Sequence, residues 1–176
     1  MRYFAYGSNL NVAQMAQRCP GAKPPGRIKL SGWKLVFRGV ADAIQEPGAF
    51  CYGGVWRITP EDEAALDTYE GVRHGLYRKE YIPSDPMLDG EDCMLIYTMN
   101  STGIFPPSES YLECIKQGYR DFKIPRNARR MLLQAVKDAW DNKNPSYVER
   151  QRYRRKGRPK LAARPTVNTD PEPRAG

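Results

Sequence analysis

The chain is poor in the residues that most enzymes use for covalent or metal chemistry. Of its 176 residues, one is histidine, His74, and four are cysteines, at positions 19, 51, 93 and 114. No two cysteines stand in C-x-x-C spacing, and one histidine cannot complete a Cys/His zinc site. No metal is expected. There is no G-x-S-x-G elbow around a serine, and a triad would have only His74 as its base. Neither G-x-x-x-x-G-K-[ST] nor G-x-G-x-x-G occurs, so no phosphate cradle is expected. No apolar run approaches the ~20 residues of a membrane span. The first ten residues hold no long apolar segment of the kind that marks a secretion signal. Reduced thiols in a cytoplasmic protein are the corresponding expectation.

What is present is enough apolar material for one core: 40% hydrophobic residues, with eleven Tyr, five Phe and three Trp. At this length a domain buries roughly 70% of its unfolded surface, so no disulfide or metal staple is needed. The formal charge is +8, but it is unevenly spread. Residues 150–176 carry nine Lys and Arg against Asp170 and Glu172, a net +7, and residues 1–149 hold nineteen basic and eighteen acidic residues, a net +1. The tail also has four prolines and almost no large apolar side chain. Such a composition cannot offset the entropy of ordering, so 150–176 is expected to be disordered and 1–149 to be the folded domain. The tail reads either as a solvated appendage or as a weak electrostatic contact for nucleic acid.

Along the body, residues 1–5 read as a strand running into a Tyr-Gly-Ser-Asn turn. Asn11 caps a helix over 12–18. Pro24-Pro25-Gly26 reads as a turn, and residues 27–37 as a strand interrupted by Gly32. Asp42 to Gln45 forms a short strand before a Glu46-Pro47-Gly48 turn, and residues 50–58 another strand. The glycines of the latter imply a close approach by something. Thr59, Pro60, Glu61 and Asp62 start a helix that Gly71 ends. Tyr77–Pro83 and Cys93–Met99 are strands joined by an acidic turn through Asp85-Pro86 and Asp89-Gly90. Ser108 caps a helix to about Phe122, with Tyr111, Ile115, Gly118 and Tyr119 near one stripe. Pro125 starts a last helix to Asp141, whose apolar face is Met131, Leu132, Ala135, Val136 and Ala139. This order lacks strict βα alternation. It predicts the α+β class, a small mixed or antiparallel β-barrel flanked by helices.

Two features carry chemistry. The strand–loop–helix unit Tyr3-Phe4-Ala5-Tyr6-Gly7-Ser8-Asn9-Leu10 can turn backbone N–H groups outward near a helix N-terminus, which suits a carboxylate or a developing oxyanion. Alone, it reads as an ordinary turn. Glu70, in Leu66-Asp67-Thr68-Tyr69-Glu70-Gly71-Val72, sits at a helix C-terminus, where the last carbonyls repel it. That repulsion, with burial against Tyr69 and Tyr77, would raise its pKa toward neutrality, as a general acid/base requires. Alone, it reads as a frayed, solvated acid.

Taken together, these segments resemble the gamma-glutamylcyclotransferase family. The resemblance rests on residues 3–10, on Gly54-Val55-Trp56, on Leu66-Asp67-x-x-Glu70-Gly71-Val72 with Gly75-Leu76-Tyr77, and on Pro106-Pro107-Ser108-x-x-Tyr111 with Gly118. The order and spacing hold over roughly residues 1–140, and the tail lies outside. The resemblance implies a small β-barrel flanked by helices. It implies release of 5-oxoproline from a gamma-glutamyl amino acid, peptide or amine, by attack of the substrate's α-amino group on its own γ-carbonyl. No cofactor is implied, and the protein would be a monomer or homodimer. Glu70 corresponds to the catalytic acid/base. Tyr3, Phe4, Ala5, Tyr6, Gly7 and Ser8, with Asn9 beside them, correspond to the substrate loop, and Tyr111 to the tyrosine that closes the pocket. Tyr77 is read as a further lining residue, with a plain core aromatic as the alternative.

Overall fold

A computed structural model describes residues 1–83 and 92–142. Residues 84–91, with the acidic turn through Asp85 and Asp89, and residues 143–176, with the basic tail, lie outside the described residues. Five strands and four helices follow in the order β1 (Arg2–Ala5), α1 (Val12–Arg18), β2 (Lys23–Phe37), β3 (Ala41–Arg57), α2 (Pro60–Tyr69), β4 (Tyr77–Pro83), β5 (Cys93–Met99), α3 (Glu109–Asp121) and α4 (Arg126–Asp141). Single 3-10 turns occupy Ser8–Leu10 and Val72–His74. Among the described residues, no helix is long and apolar enough to cross a membrane.

The sheet order is β2-β3-β1-β5-β4. β1 is central, antiparallel to β3 and parallel to β5, and all four of its residues are buried. The α+β class and mixed sheet agree with expectation, but the sheet is not a closed barrel. Its outer strands β2 and β4 are not neighbours in the order. Partial curling takes the place of closure. Beyond the end of β1, Asp42 of β3 reaches across and accepts the Met99 N–H at 2.9 Å. Its second oxygen takes the Arg38 Nε–H at 2.6 Å. A buried carboxylate needs such partners to offset its desolvation.

Two local readings differ from the structure. The short strand at 42–45 and the strand at 50–58 are one strand, β3. In its pairing with β2, Ser31 faces Phe50 and Trp33 faces Gln45, so residues 46–49 lie opposite Gly32 alone. The Glu46-Pro47-Gly48 turn is thus absorbed as a wide irregularity inside a hairpin, with Gly32 and Gly48 both at positive φ. Likewise Pro24-Pro25-Gly26 lies within β2, at a register shift between Lys23 and Gly26, rather than ending it.

The helices form where their caps stand. Asn11 Oδ1 accepts the Gln14 N–H. Thr59 and Asp62 make a reciprocal capping box, and Asp62 also accepts the Gly21 N–H at 3.2 Å, tying the end of α1 to α2. Ser108 Oγ accepts the Tyr111 N–H. α4 packs on β2 through buried Leu132, Ala135 and Ala139, joined by Ala128, with Met131 and Val136 only partly covered.

The strand glycines do mark close approaches. A Cβ on Gly53 would lie 2.4 Å from the Ala5 carbonyl oxygen, and one on Gly54 2.5 Å from the Phe122 ring. Gly118 of α3 sets the contact that places the loop: a Cβ there would stand 2.3 Å from Leu10 Cβ and 2.6 Å from its carbonyl carbon. Backbone cannot yield as a side-chain tip can. Gly118→Ala is therefore expected to destabilise the protein by about 1–3 kcal/mol, measured as a lower urea midpoint at unchanged m-value.

Candidate active site

β1 stops at Ala5, while both neighbours run on past it, β3 toward Ala41 and β5 toward Met99. The loop after β1 fills the gap. Tyr6 points inward and donates to the Tyr97 carbonyl at 2.5 Å. Gly7 is tightly enclosed: a Cβ would stand 3.0 Å from Tyr111 Oη and 3.2 Å from Ala41 Cβ, and both would have to give way by a few tenths of an ångström. The 3-10 turn then begins at Ser8, so the Ser8 and Asn9 amides have no acceptor within it.

Asn9 is 3% exposed and fully engaged. Its Nδ2 donates to Tyr3 Oη at 2.8 Å and to Glu70 Oε1 at 2.9 Å. Its Oδ1 accepts from Arg18 at 2.7 Å, and its backbone carbonyl accepts Trp56 Nε1–H at 2.9 Å. Glu70 caps the C-terminus of α2, with its N–H on the Leu66 carbonyl. Gly71, at φ 65°, reverses the chain behind it.

A small polar cavity results, lined by Tyr3, Tyr6, Gly7, Ser8, Asn9, Ala41, Glu70, Tyr77, Tyr97 and Tyr111. Its volume is about 30 Å³, room for roughly two ordered waters. Ala41 anchors one wall: its carbonyl accepts from Tyr77 Oη at 3.0 Å and its N–H donates to Tyr111 Oη at 3.1 Å. Tyr97 is held from behind by Asp67 at 2.7 Å, and Lys79 bridges Asp67 and Glu63. A larger groove of about 130 Å³ between α4 and the β2–β3 hairpin is mostly apolar, with Lys34, Gln134 and Asp138 among its lining residues.

The electrostatics single out Glu70. Burial pushes its carboxyl up to about 7, against the opposing effects of the Asn9 hydrogen bond and the Arg18 charge. Burial also raises the phenols of Tyr3, Tyr6 and Tyr77 well above the ordinary tyrosine value, and that of Tyr111 to about 12. At neutral pH these phenols are therefore neutral, around one carboxyl poised to gain or lose a proton. Tyr6 and Tyr77 spend their hydrogens on the Tyr97 and Ala41 carbonyls, while Tyr3 and Tyr111 accept and keep theirs.

The structure brings Tyr3, Tyr6, Gly7, Ser8, Asn9, Glu70, Tyr77 and Tyr111 to this cavity. Phe4 and Ala5 do not line it. Both are fully buried, and Phe4 packs where a Cβ on Gly53 would stand; alternation along β1 turns it away from Tyr3. Tyr69 is half-exposed rather than a cover for Glu70. Sequence reasoning missed Tyr97, Ala41 and Arg18. Only Arg18 left a trace, as the cation in the last turn of α1.

With this geometry in place, comparison with known proteins is informative. The model of the AIG2-like family matches residues 51–130. A mouse gamma-glutamylcyclotransferase is 30% identical over 142 residues, covering 74% of this chain and 76% of that protein. The chain belongs to the gamma-glutamylcyclotransferase family. The human gamma-glutamylcyclotransferase is also 30% identical, over 135 residues, covering 70% of this chain and 72% of its own length. Among solved structures, a gamma-glutamyl cyclotransferase superposes with a TM-score of 0.62 at 26% identity, covering 73% of this chain and 83% of that one. The family model spans Glu70 and Tyr111, while the loop from Tyr3 to Asn9 precedes it.

A carboxyl raised to about 7 by burial has a consequence for stability. Below pH 4.5 it is protonated in both folded and unfolded chains. Between 4.5 and 7 the unfolded chain ionises first, so unfolding becomes steadily easier. Above 7 the penalty is constant, on the order of 3 kcal/mol. Glu70→Gln carries no such penalty. Urea unfolding from pH 4.5 to 8 is expected to show the Gln variant gaining on the native chain up to about pH 7 and holding its lead beyond.

Proposed function

We propose that the chain is a gamma-glutamylcyclotransferase that converts a gamma-glutamyl amino acid, peptide or amine to 5-oxoproline and the free amine. The observation that carries this reading is Glu70: a carboxyl with a pKa near neutrality, opening on a polar cavity lined by neutral tyrosines and the Gly7–Ser8–Asn9 loop.

The substrate holds both nucleophile and electrophile. Its α-ammonium gives a proton to the Glu70 carboxylate, and the freed α-nitrogen attacks the γ-carbonyl carbon. A carbon–nitrogen bond closes the five-membered ring, and the carbonyl oxygen takes negative charge. Glu70 gives that proton to the leaving nitrogen as the old amide bond breaks and the carbonyl re-forms. The ring nitrogen, which still carries two hydrogens and a positive charge, yields one of them to the ionised Glu70, leaving the neutral lactam. That proton passes to the released amine. Proton transfer by a placed side chain is worth roughly 10²–10⁴ in rate. The Asn9 amide and the hydroxyls of Tyr3 and Tyr111, which accept in the bonds they make and keep their own hydrogens, are the donors available to the oxyanion. Folding the gamma-glutamyl chain into its ring-closing conformer supplies a large further share, since well-oriented intramolecular reactions reach effective molarities of about 10⁵–10⁸ M. The reaction so written moves protons and one acyl group and calls on no cofactor. The four cysteines are all free, which suits a reducing, cytoplasmic setting.

The test is a panel of gamma-glutamyl compounds, among them glutathione, gamma-glutamyl amino acids and a gamma-glutamyl amine, scored by 5-oxoproline release. Turnover of at least one is expected. Glu70→Gln is expected to lose about 10²-fold or more in kcat. In the native enzyme the acid limb of kcat/KM is expected to bend at about pH 7, because the base works only when ionised. Tight binding without turnover across the panel would instead identify a small-acid-binding protein of this fold.

A further inference from the structure

We propose that Arg18 is a positioning residue for the Glu70 carboxyl, acting through the Asn9 amide and fixing which Glu70 oxygen carries the proton. The inference rests on the reading of Glu70 as the proton carrier.

Arg18 does not line the cavity. It is the last residue of α1, and three contacts hold it. One guanidinium nitrogen donates to Asn9 Oδ1 at 2.7 Å and the other to Gln14 Oε1 at 2.8 Å. Its plane lies over the Tyr69 ring, 3.8 Å from the centroid. Such stacking and forked donation suit arginine and not lysine.

The argument turns on what each group can and cannot do. A guanidinium only donates. A side-chain amide has one accepting end and one donating end. Arg18 can therefore be satisfied only by Oδ1, which directs both Nδ2 hydrogens the other way, to Tyr3 Oη and Glu70 Oε1. An ionised Glu70 only accepts, so it enforces the same orientation by itself. A protonated Glu70 does not, because a carboxylic acid can donate as well as accept. At the stage when Glu70 holds the proton, it would tolerate a flipped amide with Oδ1 facing it. Arg18 forbids that flip, since Nδ2 would then face the guanidinium.

The amide thus keeps one orientation through both protonation states. Oε1 stays an acceptor from Asn9 throughout, and the proton is confined to Oε2. It arrives there from the α-ammonium and leaves from there to the departing nitrogen. The titratable groups facing Glu70 otherwise are the phenols of Tyr3, Tyr6, Tyr77 and Tyr111, all raised and neutral at pH 7. Arg18 is the cation that acts on it, and its charge works against the effect of burial.

Two variants separate geometry from charge. Arg18→Met removes both, and Arg18→Lys keeps the charge without the fork. Each is followed by steady-state kinetics and by ¹³C-carboxyl NMR titration of Glu70 in the full chain without substrate. For Arg18→Met a fall in kcat of roughly 10- to 100-fold is expected with little change in KM, as for a misplaced group, and the Glu70 midpoint should rise by about one pH unit. Arg18→Lys is expected to hold the native midpoint yet recover only part of kcat. A native midpoint in the Met variant, or native kcat in either, overturns the proposal. If the Met variant fails to fold, the Lys variant alone decides it: native kcat overturns the proposal and reduced kcat at a native midpoint supports it. If the native chain releases no 5-oxoproline, the proposed function fails, and the Glu70 titration still decides whether Arg18 governs that carboxyl.

Discussion

Four elements meet at the side chain and carbonyl of one buried residue, Asn9. Tyr3 comes from β1, Arg18 from the end of α1, Trp56 from β3, and Glu70 from the end of α2. Every polar group of that side chain is used in the direction its chemistry allows. Leaving any one of them buried and unpaired would cost about 1–3 kcal/mol. The loop after β1 is consequently held by satisfied donors and acceptors more than by its own turn propensity. It is short and carries Gly7, yet it has little freedom. The same bonds that fix its path also aim a carboxyl oxygen, so folding and site assembly are one event here.

Glu70 shows the opposing pressure. Its position, at the end of a helix and away from water, disfavours the charge that the proposed chemistry requires. The protein moderates this without removing it. An amide donor and a nearby cation pull the carboxyl back from full neutralisation, and burial keeps it from behaving as a surface acid. The balance near 7 is the useful one for a group that must take up a proton and then give it away. Stability is sacrificed locally for function, and the capping box of α2, the Asp62–Gly21 bond and the packed core sustain the fold around it.

How much of this was legible in the sequence depends on how local the signal is. The helices announce themselves by caps, so the starts at Asn11, Thr59 and Ser108 agree with the structure. β4 and β5 were legible as strands with the bounds they have in the structure, Tyr77–Pro83 and Cys93–Met99. The long β2–β3 hairpin was not. Glu46-Pro47-Gly48 is strong turn chemistry, but continuous pairing with β2 on either side outweighs it and turns it into an irregularity opposite Gly32. Curvature was equally hidden. A barrel and an open sheet share the same strand patterns, and the difference lies in which edge strands pair, which no local segment records. In the site, Glu70 stood out because it is electrostatically misplaced. Phe4 and Ala5 were carried along with their neighbours until strand alternation separated them. Arg18 and Tyr97 reach the site through tertiary packing, and Tyr97 looks like any core tyrosine of a strand.

The shortness of β1 explains why the site lies where it does. A central strand of four residues supports its neighbours only part-way, and past Ala5 they must be joined by other means. Backbone amides left without a strand partner need acceptors. Asp42 supplies one for Met99 and in doing so draws the start of β3 toward β5. Ala41, beside it, then has both its carbonyl and its N–H turned to the hydroxyls of Tyr77 and Tyr111, which bridge the same gap from β4 and α3. Ala41, Tyr77 and Tyr111, which bridge the gap past the end of β1, are thus among the groups that wall the cavity. Lengthening β1 by pairing residues 6–9 into the sheet would satisfy the backbone more simply. It would also abolish the turn that presents the Ser8 and Asn9 amides and the side chain that holds Glu70. On this reasoning the interruption of the central strand is the structural origin of the site.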